Sequence, residues 1–201
     1  MSISLYDLCY EKHKKGYMYA SFVEMSKLKE LELNNVFDLK ECHYKPNGIY
    51  FSKLENFVNE NYEVNGHSMV PEWFSFLKND WDCQLNKYSK RAILFAKFNE
   101  SKIGTFSYEN LIPYTDLSQS KEVKNKNFSF DTKFDWDKYA KNEWNGISVE
   151  RKNFSGVCWD VNTVVIWNWS ALLDMEVYEP FDNNFYYKLD NIMAKSQCDE
   201  C

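Results

Sequence analysis

The amino-acid sequence predicts an α+β protein, a single compact domain in which helices flank a split, mainly antiparallel β-sheet. Three observations lead to this fold class: short runs of aromatic and β-branched residues, segments of helical composition between those runs, and the lack of a visible internal repeat. A length of 201 residues suits one domain, and a hydrophobic content of 44% can form a substantial core. We place the domain at residues 1–190 and expect residues 191–201 to form a flexible tail.

The strands are predicted where apolar and aromatic runs are bounded by turn residues. They lie, in chain order, at residues 17–23, 49–52, 91–98, 102–106, 147–150, 158–169 and 171–180. A turn at Pro46, Asn47 and Gly48 precedes the second of these strands. In the run at 158–169, alternation separates two sets of side chains, Asp160, Asn162, Val164 and Ile166 on one face and Trp159, Val161, Thr163, Val165 and Trp167 on the other.

The helices are predicted from capping residues and apolar spacing. Ser21 and Glu24 have the spacing of a capping box, which predicts a helix that begins at Ser21. Further helices are expected at residues 53–61, at 71–80 after a proline, and at 134–144. Residues 115–133 are rich in Ser, Lys, Asn and Asp, and this composition predicts a long exposed loop.

The composition also excludes several classes of function. A net charge of -6, with Arg91 and Arg151 as the only arginines, argues against a general nucleic-acid-binding surface. The 6 glycines form none of the Gly-rich phosphate-binding motifs. No run approaches the ~18 apolar residues of a membrane span, and residues 1–15 lack the apolar region of a signal peptide. We therefore expect a cytoplasmic protein with reduced cysteines. Its high content of Lys and Asn resembles that of proteins encoded by AT-rich genomes, such as those of some viruses.

Histidine and cysteine give no clear catalytic or metal-binding pattern. The 3 histidines have no metal-ligand spacing, so no metal site is predicted. A Cys–His nucleophile pair built on Cys42 or Cys158 has no supporting local motif. Cys198 and Cys201 form a C-x-x-C pair without a second pair, which is typical of tail thiols. The 7 tryptophans are expected mostly in the core, with one or two available to stack on a flat heterocycle.

Three segments, in this order along the chain, resemble the ADP-ribosyltransferase fold. They are YMYAS at residues 17–21, KPNGIYFS at 45–52, and the strand pair SKRAILFAKF at 89–98 with WDVNTVVIWN at 159–168. A group of uncharacterised relatives shares further short motifs, which here are Asp135-Trp136 through Ala140 and Gly146-Ile147. The resemblance extends over about residues 17 to 180.

The resemblance implies that the protein binds NAD in a bent conformation, so that nicotinamide leaves an oxocarbenium-like ribose that a carboxylate stabilises. It implies that Tyr50 stacks on the nicotinamide and that Ser52 supports the amide or the ribose. Gly48 would let the backbone approach the ligand closely. Tyr19 and Ser21 occupy the position of the His-x-Thr motif of the family. The resemblance also implies that Trp159 contributes to nucleotide binding.

The chain departs from the family at the catalytic position, where Thr163 replaces the usual glutamate. The resemblance then offers Asp160 and Glu150 as substitute carboxylates. One interpretation is an enzyme that transfers ADP-ribose to an acceptor or cleaves NAD. A second is a catalytically inactive module on the same fold that recognises a nucleotide or a host or partner protein. A third is a different α+β fold whose aromatic residues simply pack.

Overall fold

The computed structural model describes residues 3–24, 37–40, 44–54, 91–115, 128, 132–150, 162–180 and 185–188. Their strands are β1 (Ile3–Ser4), β2 (Tyr19–Glu24), β3 (Ile49–Lys53), β4 (Arg91–Phe98), β5 (Ile103–Thr105), β6 (Gly146–Val149), β7 (Thr163–Ile166), β8 (Leu172–Pro180) and β9 (Phe185–Lys188). Their α-helices are α1 (Leu5–Lys14), α2 (Tyr108–Leu111) and α3 (Trp136–Ala140). Apart from β5 with β6, the pairings described below are antiparallel, as the sequence predicts for an α+β protein.

The chain divides into two compact units. The first unit comprises Met1–Leu33, Phe51–Phe98 and Leu172–Cys201, and the second comprises Asn34–Tyr50 and Asn99–Ala171. The sheet of the first unit has the strand order β1-β9-β8-β4-β2-β3. Strand β4 lies in the interior of this sheet between β2 and β8, which explains why its sequence, RAILFAKF, is almost continuously apolar.

Strand alternation gives the sheet of the first unit two different faces. Helix α1 packs on one face, which we call the helix face. Its apolar positions follow helical spacing, and they form one buried cluster with strand residues, namely Leu8, Cys9, Tyr17, Ala20, Leu54, Ile93, Phe95 and Tyr178. The opposite face carries buried side chains that include Tyr19, Ser21, Leu94, Ala96 and Val177.

The second unit is built on strands β7, β6 and β5, in that order. Strand β6 pairs with β7 in antiparallel and with β5 in parallel orientation. Aromatic rings dominate its core, whose buried members are Leu39, Phe106, Leu111, Phe128, Phe134, Trp136, Tyr139, Ile147, Val149, Val165 and Trp167. The Trp136 ring lies 6.2 Å from that of Trp167, so two of the tryptophans have the packing role expected for most of them.

Most described strands lie where the sequence predicts them, but several other predictions are wrong. Ser21 and Glu24 belong to strand β2, so the capping-box prediction fails there. Lys53 ends β3 instead of beginning a helix. Within the predicted exposed loop, Phe128 and Thr132 are buried, and Phe128 packs into the aromatic core.

The predicted helix at 134–144 is shorter than expected. It spans Trp136–Ala140, and Asp135 caps it by accepting a hydrogen bond from the backbone of Lys138 at 2.9 Å. The helix predicted at 71–80, most of those predicted from Ser21 and from residue 53, and the tail at 191–201 lie outside the described residues. Within the part of the chain that the structure describes, no helix is long and apolar enough to cross a membrane.

Candidate functional site

The turn before β3 is held in place by hydrogen bonds within the second unit. The side-chain amide of Asn47 donates to the carbonyl oxygen of Asp38 at 2.8 Å, and Pro46 is buried. The backbone amide of Phe37 donates to the carbonyl oxygen of Trp167 at 2.9 Å, which joins the neighbouring segment to the residue after β7. The turn predicted from Pro46, Asn47 and Gly48 is therefore confirmed, and the Asn47 side chain anchors it to Asp38.

Tyr50 is the central residue of this segment. Its hydroxyl donates a hydrogen bond of 2.8 Å to the carbonyl oxygen of Pro46, four residues earlier. The ring is partly buried and packs against the aromatic core of the second unit. Burial raises the pKa of the Tyr50 hydroxyl to about 12, so the phenol stays protonated at neutral pH. Tyr50 thus presents a neutral ring whose orientation is fixed by its own chain.

Gly48 approaches strand β7 at very short range. A Cβ atom at this position would lie 2.5 Å from the carbonyl oxygen of Ile166 and 2.8 Å from Cγ1 of Val165. Only a residue without a side chain fits this contact. The sequence predicts that the backbone at Gly48 approaches a ligand closely. In the structure this backbone lies close to strand β7.

Glu150 adjoins the same strand at its other end. It directly follows β6, whose last residue, Val149, pairs with Thr163, the first residue of β7. The Glu150 side chain is partly exposed. Thr163 is the residue that stands where the resembled family has its catalytic glutamate, and it is buried. Glu150 therefore lies one residue beyond the pairing partner of Thr163.

The first unit separates the other predicted binding residues. Tyr19, Ser21 and Ser52 are 3%, 5% and 1% exposed. Ser52 pairs with Ala20, whereas Tyr19 pairs with Ala96, so alternation puts Ser52 on the helix face and puts Tyr19 and Ser21 on the opposite face. The register does not bring Ser52 together with Tyr19 and Ser21. Asp160 and Trp159 lie outside the described residues.

Sequence reasoning missed a polar cluster on the helix face, which we call the Glu176 cluster. Its members are Lys12, Tyr17, Lys97, Asp174, Glu176, Tyr178 and Lys188. The alternation of Asp174, Glu176 and Tyr178 along β8 was the available signal, because residues two apart on a strand share a face. Lys12 is 164 positions away from Glu176, and no local pattern connects them.

Among the described residues, no group of three or more His, Cys, Asp or Glu side chains is arranged to hold a metal ion. Comparison of the chain with protein-family models, with curated proteins and with solved structures gives no significant match.

Proposed function

We propose that this protein binds NAD or a related nucleotide on an ADP-ribosyltransferase-like domain, with residues 45–50 of the second unit forming one wall of the pocket. The observation that carries the proposal is the hydrogen bond between Tyr50 and the Pro46 carbonyl oxygen. It fixes the ring of a partly exposed tyrosine before any ligand arrives. A ring that is already ordered loses little conformational entropy when a flat heterocycle stacks on it.

The proposed activity is transfer of ADP-ribose to an acceptor or cleavage of NAD. Departure of nicotinamide leaves positive charge on the ribose, and a nearby carboxylate stabilises that charge. Glu150 is favoured among the described carboxylates because it follows Val149, the partner of Thr163. Gly48 contacts Ile166 on β7. Ile166 and Thr163 are three residues apart on this strand, which is roughly 10 Å at the usual rise per residue. The turn and Glu150 thus both adjoin β7. Asp160 is the other carboxylate that the resemblance suggests.

The second candidate function is a catalytically inactive module that recognises a nucleotide or a partner protein. The burial of Tyr19, Ser21 and Ser52, and their division between two sheet faces, favours this alternative. These hydroxyl groups were expected to contact the nicotinamide side of NAD together. A module of this kind binds its ligand through the wall at Tyr50 and needs no carboxylate at Glu150.

Two measurements test the proposal and separate its two forms. Calorimetric titration with NAD and with ADP-ribose tests binding, and chromatography of the incubated mixture tests release of nicotinamide. The enzyme form predicts both, with Glu150→Gln reducing turnover by about 100-fold or more while NAD still binds. Retained turnover in Glu150→Gln but not in Asp160→Asn would move the role to Asp160. Binding without release supports the inactive module, and the absence of both heat and release contradicts the whole proposal.

A further inference from the structure

Glu176 on strand β8 connects three parts of the first unit. Its Oε2 atom accepts hydrogen bonds from Nζ of Lys12 on α1 and, at 2.9 Å, from the hydroxyl of Tyr178 on its own strand. Its Oε1 atom accepts a hydrogen bond of 3.1 Å from Nζ of Lys188 on β9. One carboxylate therefore binds the N-terminal helix and the C-terminal strand at the same time.

Lys12 has little access to water, because its side chain is only 2% exposed. The turn that ends α1 fixes its position: Gly16 has a φ of 79°, and the backbone amide of Tyr17 donates to the carbonyl oxygen of Lys12 at 3.0 Å. The ammonium group also lies 4.8 Å from the ring centre of Tyr178. A buried ammonium group of this kind is strongly destabilising when its carboxylate partner loses its charge.

Asp174, the other carboxylate of the Glu176 cluster, has its own partners. The hydroxyl of Tyr17, in the turn after α1, donates to Oδ2 of Asp174 at 2.8 Å, and Nζ of Lys97 on β4 lies 3.7 Å from the same oxygen. Burial and the hydrogen bond to Asp174 raise the pKa of Tyr17, so its hydroxyl remains a donor. Asp174 therefore serves Tyr17 and Lys97, and Glu176 is the carboxylate that neutralises Lys12.

We propose that Glu176 is an acid-sensitive latch, and that its protonation releases α1 from the sheet. This inference is independent of the proposed nucleotide site, which lies in the second unit. Release of α1 uncovers the apolar cluster of the helix face, including Cys9, which is fully buried. Loss of the charge on this one carboxylate thus exposes an apolar surface and a thiol.

The direction of the pH response follows from the contacts of Glu176. Burial on its own raises the pKa of this carboxyl, but the hydrogen bonds from Lys12, Lys188 and Tyr178 outweigh burial and lower it from 4.5 to about 2. A lowered pKa in the folded state means that the ionised form stabilises the fold at pH values above about 4.5. That stabilisation is lost as the pH falls towards 2. The latch is closed at neutral pH and opens in acid.

Cys9 provides the readout, because its thiol reports whether α1 is docked. Burial raises its pKa, which keeps the thiol protonated and unreactive in the closed state. We expect Glu176→Gln to imitate protonation at neutral pH and to accelerate alkylation of Cys9 by iodoacetamide by about tenfold or more, measured on its own peptide by mass spectrometry. Tryptophan fluorescence and circular dichroism, recorded in parallel, test that the rest of the protein remains folded.

Two further variants make the test decisive. Asp174→Asn is the matched control, because it removes the neighbouring half-exposed carboxylate and leaves the Lys12 contact, and it should change the Cys9 rate by less than about twofold. Lys12→Met combined with Glu176→Gln removes the buried ammonium charge that has lost its carboxylate partner. The rate of Cys9 alkylation should then return to within about threefold of that of the original protein. This double variant also keeps the proposal testable if Glu176→Gln alone unfolds.

Acid itself provides the last part of the experiment. Dithiodipyridine, which reacts with thiols at low pH, should label Cys9 of the unmodified protein before tryptophan fluorescence reports global unfolding. The proposal is overturned if Glu176→Gln labels Cys9 as slowly as the unmodified protein. It is equally overturned if the double variant labels as fast as Glu176→Gln does, or if acid exposes Cys9 only together with global unfolding.

Discussion

The hydroxyl of Tyr50 donates a 2.8 Å hydrogen bond to the carbonyl oxygen of Pro46, across the turn that contains Gly48. The same turn lies against β7, where no side chain fits between Gly48 and Ile166. Two independent contacts therefore hold residues 46–50 in one conformation. A wall that is rigid before ligand binding is the structural basis of the proposed nucleotide site.

The first prediction concerns the contact between Gly48 and β7. We expect Gly48→Ala to lower the free energy of unfolding by about 1–3 kcal/mol, because the new Cβ would lie 2.5 Å from the Ile166 carbonyl oxygen and the turn would have to move away from β7. Urea denaturation followed by tryptophan fluorescence measures the change.

Gly16 provides the matched control for this substitution. Its φ of 79° disfavours a side chain, but the nearest atom to an added Cβ, Cε of Lys97, is 4.0 Å away. Gly16→Ala should therefore cost only about 1 kcal/mol, from backbone conformation alone. If Gly48→Ala lowers the free energy of unfolding no more than Gly16→Ala does, the contact between Gly48 and β7 is not tight.

The second prediction concerns Glu143, in the turn after α3. Its φ is 68°, a conformation that favours glycine. We expect Glu143→Gly to raise the free energy of unfolding by about 1 kcal/mol, because glycine adopts this conformation without a steric penalty. Thermal and urea denaturation measure the gain. Glu143→Ala removes the same charge but keeps a Cβ, so it should give no such gain; an equal gain would assign the effect to charge.

The third prediction concerns the pH dependence of stability. Glu176 has a pKa lowered to about 2 by its hydrogen bonds, so its charge stabilises the fold above about pH 4.5. We expect the unfolding free energies of the original protein and of Glu176→Gln to differ most at neutral pH and to converge as the pH falls towards 2. Urea titrations between pH 7 and the lowest pH at which the fold persists test this. Glu109→Gln, at an exposed position, controls for net charge, and parallel curves for Glu176→Gln would contradict the assignment.

The strands were the most predictable part of the fold. Strand β4 matches its predicted bounds, 91–98, because an interior strand covered on both faces must be apolar throughout. The capping-box prediction at Ser21 failed because three of the residues around it, Tyr19, Phe22 and Val23, favour strands and pair along β4. Helix α1 was missed, although Leu5, Leu8 and Cys9 already have helical spacing.

The site was less predictable than the strands, for a different reason. The resemblance identified Ser52 and Tyr19 as joint binding residues, but the register puts them on opposite faces, and register depends on pairing that is not local. Contacts between residues that are far apart in the sequence, such as Lys12 with Glu176, are not marked by any local sequence pattern. Glu150 was named as a substitute carboxylate from the resemblance, and its place one residue after the partner of Thr163 is set by the β6–β7 pairing, which is not local.

The fourth prediction concerns the Tyr50 ring itself. If it stacks on the base or the nicotinamide, Tyr50→Ala should weaken NAD binding by about tenfold or more. Tyr50→Phe keeps the ring and removes the bond to Pro46, so it should bind NAD within about fivefold of the original protein and lose about 1 kcal/mol of stability. Tyr114, another partly buried tyrosine against the same aromatic core, is the matched control, and Tyr114→Ala should leave NAD affinity unchanged.

Calorimetric titration of NAD into the original protein and these three variants determines whether Tyr50 lines a nucleotide site. We expect saturable binding to the original protein that Tyr50→Ala weakens by about tenfold or more, Tyr50→Phe weakens by less than about fivefold, and Tyr114→Ala leaves unchanged. No heat of binding with the original protein, or equal affinity in Tyr50→Ala, would contradict the proposed nucleotide site.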